Sequence, residues 1–203
     1  MLSTGYLALL GDTVSTASLA EELLALSAEQ GFLMYWAVGA IAHGWAVVAK
    51  GQAEEGTAEI IGGATVVKQL FSPASVDPIL LADAYCMARQ PEEGFRHLAD
   101  AEASTVAQLL PELPAYRLRA RLHLLIGETD VAEKFLRRAI VLARAQHATF
   151  LELLAGIDLA RLLDSQGKRA EARDLLAPIY GWFTEGLDTP VLKDAKALLD
   201  ELA

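Results

Sequence analysis

A chain of 203 residues with 17 Lys and Arg against 27 Asp and Glu, net charge −10, has no extended cationic patch for a phosphate backbone, which argues against a nucleic-acid partner. Hydrophobic residues are 53% of the chain and charged residues 22%, much of the former Ala and Leu, a mixture that suits close-packed helices and speaks against general disorder. The lone Cys86 permits no internal disulfide, and His43, His97, His123 and His147 stand singly without zinc-ligand spacing, so no metal or other cofactor is expected and a reducing cytoplasm fits best.

In chain order, Leu2 to Leu10 reads as a short helix ended by Gly11-Asp12, and Ser15 to Gln30 as its amphipathic partner through Leu19, Leu23 and Leu26, closed by Gly31. The start has no basic segment before its apolar stretch, so a signal peptide is not expected. Phe32 to Lys50 is the next helix. Its charge-free run Phe32 to Ala49 reaches the lower edge of a membrane span, but it carries His43 and lacks a Lys/Arg-rich flank, so no membrane insertion is expected.

Ala53 to Phe71 follows, with Gly62-Gly63 weakening its middle, and Ser72 to Ser75 is a loop. Asp77-Pro78 supplies an N-cap and the ring at the first helical position for a helix reaching Arg89, and Pro91 opens its partner in the same way. Pro111 and Pro114 precede a helix over Ala115 to Ile126. Thr129 to His147 keeps helical apolar spacing without a fault. Phe150 to Gln166 and Lys168 to Thr184 form the last hairpin, and Thr189-Pro190 starts a final helix with Leu192, Ala195, Leu198, Leu199 and Leu202 on one face and Lys193, Asp194, Lys196, Asp200 and Glu201 on the other.

These hairpins repeat. The corner residues Gly51, Arg89, Gly127 and Gly167 follow one another at intervals of 38, 38 and 40. Seven residues before each lies a small one, Gly44, Ala82, Ala120 or Ala160, and five residues after each another, Gly56, Gly94, Ala132 or Ala172. Two helices that cross closely need small residues at both places. Four residues further on stand Ile60, Leu98, Leu136 and Leu176, and three beyond these Gly63, Ala101 and Ala139, with Ile179 breaking the last column. Gly11, 40 residues before Gly51, marks a degenerate first repeat.

The pattern is that of tetratricopeptide repeats. Gly44-Trp45-Ala46, Gln166 to Arg173, Tyr180 to Gly186 and Leu192 to Leu199 further resemble the tetratricopeptide tail of large bacterial signalling proteins, in which a class III nucleotide cyclase domain and an AAA or STAND-type ATPase domain come first. The resemblance implies an all-α, right-handed helical-hairpin solenoid in a single domain, 1–203. Its repeats lie at about 1–31, 32–71, 76–107, 112–147 and 149–184, and a capping helix fills 189–203. It implies a sensor or regulatory tail, or a remnant of one, that binds a protein or peptide and carries no cyclase or ATPase activity of its own. The alternative it leaves open is a small-molecule sensor controlling an ATPase or a transcription regulator.

No residues spell out a reaction. There is no phosphate-binding Gly-rich loop ending in Lys-Ser/Thr, and Gly62-Gly63 inside a helix serves close packing better than phosphate. Glu54-Glu55 and Glu92-Glu93 occupy first helical turns, where carboxylates oppose the helix dipole. The four histidines fit ordinary helical places, and Trp182 and Phe183 are expected to pack under the last helix, with a docking surface as the alternative.

In a superhelix of this kind the first helix of each hairpin lines the concave face, which places Ile41, Trp45, Ile79, Asp83, Arg117, Arg121, Ile157 and Arg161 there as the candidate binding groove. Its three arginines suit a carboxylate-bearing ligand such as an acidic peptide, unless Asp83 and Asp164 neutralise them. The apolar N-terminal edge, Leu2, Tyr6, Leu7, Leu9 and Leu10, is expected to dock upstream sequence or a second copy.

Overall fold

The computed structural model of the chain describes residues 12–70, 78–103 and 112–203. These residues form ten α-helices and no strand. In order they are α1 (Thr13–Gln30), α2 (Leu33–Ala49), α3 (Ala53–Leu70), α4 (Pro78–Met87) and α5 (Pro91–Ala103), then α6 (Glu112–Leu125), α7 (Thr129–Ala145), α8 (Thr149–Ser165), α9 (Arg169–Tyr180) and α10 (Pro190–Glu201). They fall into two compact units, residues 1–110 with α1 to α5 and residues 111–203 with α6 to α10. Within each unit the substantial packing pairs join helices one or two apart in chain order. The apolar N-terminal edge Leu2 to Leu10, the loop Ser72 to Ser75 and the cap residue Asp77 lie outside the described residues.

Local chemistry sets the ends of these helices. Asp12 Oδ1 accepts the Ser15 backbone N–H at 3.0 Å to open α1, a bond that holds the Asp12 carboxyl below the usual range, and Gly31 closes the helix at φ +69. The corner residues Gly51, Gly127 and Gly167 all take positive φ, at +91, +80 and +76, and Arg89 takes +58 at the equivalent place. The corner geometry is therefore kept where the sequence departs from glycine. A left-handed backbone costs a side-chain-bearing residue roughly 1–2 kcal/mol, so Arg89 sits there at an energetic disadvantage.

The small residues perform the predicted close crossing. A Cβ on Gly44 of α2 would fall 2.5 Å from the Gly56 carbonyl oxygen of α3, and a Cβ on Gly56 would likewise run into the Gly44 carbonyl. Ala82, Ala120, Ala132, Ala160 and Ala172 are fully buried at the equivalent places, and Ile60, Leu98, Leu136 and Leu176 fill the large apolar column with no exposure. Of the Gly62-Gly63 pair only Gly63 approaches a neighbour, its Cβ position lying 2.6 Å from the Ala37 carbonyl oxygen. The side chain of Ala101 in the same column lies outside the described set.

Two expectations at the C-terminal end need correction. The helix expected to reach Thr184 stops at Tyr180: it runs through Pro178, which removes one rung of the ladder, and past Gly181 the N–H groups of Trp182 and Phe183 turn to the carbonyls three residues back, Ile179 and Tyr180. Trp182 does not pack under the last helix. It is 76% exposed, and only Phe183 beside it packs against the core. The final helix behaves as expected, burying Leu192, Ala195, Leu198 and Leu202 behind Pro190 at its first position.

Candidate functional site

Each unit carries its own part of the predicted face. In the first, Trp45 and Asp83 hold the same place six residues before the corners Gly51 and Arg89, so neighbouring repeats set them side by side. Trp45 Nε1 donates to Asp83 Oδ2 at 2.9 Å, tying α2 to α4. Ile41, Trp45 and Ile79 are buried in the core of this unit. A ligand arriving here meets the half-buried Asp83 and not these apolar side chains.

In the second unit Arg117 Nε donates to Asp158 Oδ2 at 2.6 Å, tying α6 to α8, and Arg161 Nη2 donates to Asp194 Oδ1 at 2.5 Å, tying α8 to α10. The first pair is sheltered, with side chains 25% and 13% exposed, and the second stands in solvent at 51% and 45%. Ile157 is buried, and Arg121 lies on the same helix as Arg117 with contacts of its own. The carboxylates that pair with Arg117 and Arg161 are thus Asp158 and Asp194. Asp158 stands 41 residues after Arg117, one step from a repeat length, a signal the spacing contained; Asp194 read as the water-facing side of the capping helix.

A second ion network lies on the other helices of this unit. Arg137 of α7 pairs with Glu133 at 2.8 Å and with Glu171 of α9 at 2.7 Å, and Lys168 lies 3.9 Å from Glu133. The hydrogen bond from Arg137 holds the Glu133 carboxyl below its ordinary value of 4.5, and the bonds to Glu171 and Glu133 push the Arg137 guanidinium up. Arg144 and Glu152 join α7 to α8 at 2.6 Å.

The histidines take three kinds of place. His43 Nδ1 lies 2.6 Å from Glu59 Oε2, linking α2 to α3, and His123 Nδ1 lies 2.7 Å from Glu128 Oε2 while its ring stacks on Phe135 at 5.5 Å. His97 is buried and stacks on Tyr85 at 5.3 Å, where burial pushes the phenol up. His147 is exposed at a corner with φ +53. Among the described residues no group of three or more His, Cys, Asp or Glu is placed to hold a metal ion, and no helix is long and apolar enough to cross a membrane.

No protein-family model matches this chain, and neither a curated protein nor a solved structure does so.

Proposed function

We propose that this chain is a tetratricopeptide-like repeat scaffold that catalyses no reaction and receives a protein or peptide. On the resemblance of its C-terminal stretches, it serves as the sensor tail, or a remnant of one, of a bacterial signalling ATPase or cyclase. The observation that carries this reading is the recurrence of one corner: a left-handed residue at Gly51, Arg89, Gly127 and Gly167, with a buried small residue seven before and five after each. Within each unit the substantial packing joins helices one or two apart in chain order, which supports it, because that is how stacked hairpins are stabilised.

The paired arginines change what the scaffold is suited to hold. An acidic ligand at the predicted groove has to displace Asp158 from Arg117 and Asp194 from Arg161, and so gains only the difference between two similar ion pairs. The acidic peptide is therefore the less favoured partner.

The test sets a peptide array against a metabolite panel read by thermal melting, both with the full chain. A scaffold captures particular peptides saturably, at micromolar dissociation constants, and its melting temperature ignores metabolites. A metabolite that raises the melting temperature saturably, with no peptide captured, overturns the reading in favour of a small-molecule sensor.

A further inference from the structure

We propose that the solvent face of α1, continued by Phe32 and Tyr35, is a docking surface for a cationic amphipathic helix of a partner protein. This inference rests on the scaffold reading and names the partner class.

On α1 the buried side is Thr16, Ala17, Ala20 and Ser27, packed toward α2. Helical spacing puts Leu19, Leu23 and Leu26 in one stripe beside that side, at i, i+4 and i+7. Leu26 is 53% exposed, and so is Phe32 just past the Gly31 corner, where its ring meets Tyr35 edge-on at 6.1 Å. A stripe of leucines leading to an aromatic pair, all partly open to water, is an apolar surface one helix wide.

Charge decides what covers it. Glu22 and Glu29, both exposed, run alongside the stripe at i and i+7, with Glu21 next to them. The first Lys or Arg in the sequence is Lys50, and while Glu21 has His43 Nε2 3.9 Å away, no Lys or Arg of residues 1–49 stands near Glu22 and Glu29 in the sequence. The imbalance extends through the unit: residues 1–110 hold 13 Asp and Glu against 4 Lys and Arg, net −9, whereas residues 111–203 hold 14 against 13, net −1. A second copy docked symmetrically on the same face would bring Glu22 and Glu29 against their own kind with no cation to separate them, and an anionic lipid surface is repelled in the same way. A helix with leucines on one face and lysines or arginines on the flanks matches both the stripe and its acidic border.

The probe is a synthetic 18-residue helix of Leu and Lys with leucines at i, i+3, i+4 and i+7, against its Leu and Glu counterpart, titrated into the full chain by calorimetry. The Lys peptide is expected to bind and the Glu peptide not. Binding should weaken at least tenfold in Leu26→Ser and in the double variant Glu22→Lys, Glu29→Lys, with the melting temperatures of both free variants unchanged. Equal affinity for the two peptides, no binding of either, or undiminished binding of the Lys peptide by both variants overturns the assignment. A fall in the melting temperature of free Leu26→Ser overturns it by showing that the face is already covered within the chain. A concentration-dependent doubling of mass that Leu26→Ser abolishes gives the face to a second copy. Undiminished binding by the variants leaves the scaffold reading intact, while that reading falls separately if metabolites and not peptides shift the melting temperature.

Discussion

Ile179 of α9 projects toward the space above Gly156 of α8: a Cβ on Gly156 would lie 2.9 Å from Ile179 Cδ1. In the second repeat the same contact has the sizes reversed, with Gly63 on the second helix approaching Ala37 and Ala40 on the first. Ile179 breaks the small column in the sequence, and Gly156 absorbs the difference.

The two glycine contacts have different costs on substitution. Gly44→Ala and Gly56→Ala press a methyl into a carbonyl oxygen of the facing backbone, so each is expected to lose about 3 kcal/mol or more of unfolding free energy. Gly156→Ala meets only the far end of the Ile179 side chain, which turns aside, and should cost under about 1.5 kcal/mol. Gly62→Ala enters open space within a helix and should gain about 1 kcal/mol. Urea titrations of the four variants check the order, and equal losses at Gly44 and Gly156 would refute the close-crossing account.

Arg89 offers a stabilising change. Gly at this left-handed corner removes a side-chain penalty of roughly 1–2 kcal/mol and adds about 0.5–1 kcal/mol of unfolded-chain entropy. Arg89→Gly should therefore raise the melting temperature by about 1–4 °C. Gly51→Ala and Gly127→Ala, where nothing obstructs a Cβ, should lower it through the backbone alone. Scanning calorimetry of the three decides the matter.

The hairpins were legible because their signal is local. Corner residues, small positions and the Ile60, Leu98, Leu136 and Leu176 column each follow from spacing along one helix pair, and the structure gives each the conformation or burial that the spacing requires. The face chemistry was less legible. Whether Ile41 or Trp45 reaches solvent depends on neighbouring repeats, and both are buried. The partners of Arg117 and Arg161 come from helices 41 and 33 residues away, and the second belongs to the final helix, which has no counterpart in the repeat frame. Trp182 departed from expectation because α9 ends at Tyr180, ahead of the turn that would have carried the indole inward.

The network around Arg137 predicts a pH dependence. Glu133 is held below its ordinary value of 4.5 in the fold by its hydrogen bond from Arg137, so its contribution is fully present above that value and disappears as pH falls through the lower, folded value. Between pH 5 and pH 3 the unfolding free energy of the parent chain should fall more steeply than that of Glu133→Gln. Identical slopes would show that the Arg137 contact adds nothing in solution.

Trp45 and Asp83 supply the last prediction. The indole N–H is buried and its acceptor is a carboxylate one repeat away, so removing the acceptor strands a donor that water reaches poorly. Asp83→Ala should cost about 1–3 kcal/mol. Asp83→Asn, which keeps an oxygen in place and loses only the charge, should retain most of the stability. Trp45→Phe removes the donor and part of a buried ring at once, and is expected to exceed Asp83→Ala because a cavity is added to the lost bond. The double variant Trp45→Phe, Asp83→Ala separates the two effects: a loss well below the sum of the two single losses assigns the coupling to the hydrogen bond between α2 and α4, whereas simple additivity would mean that packing alone joins these helices.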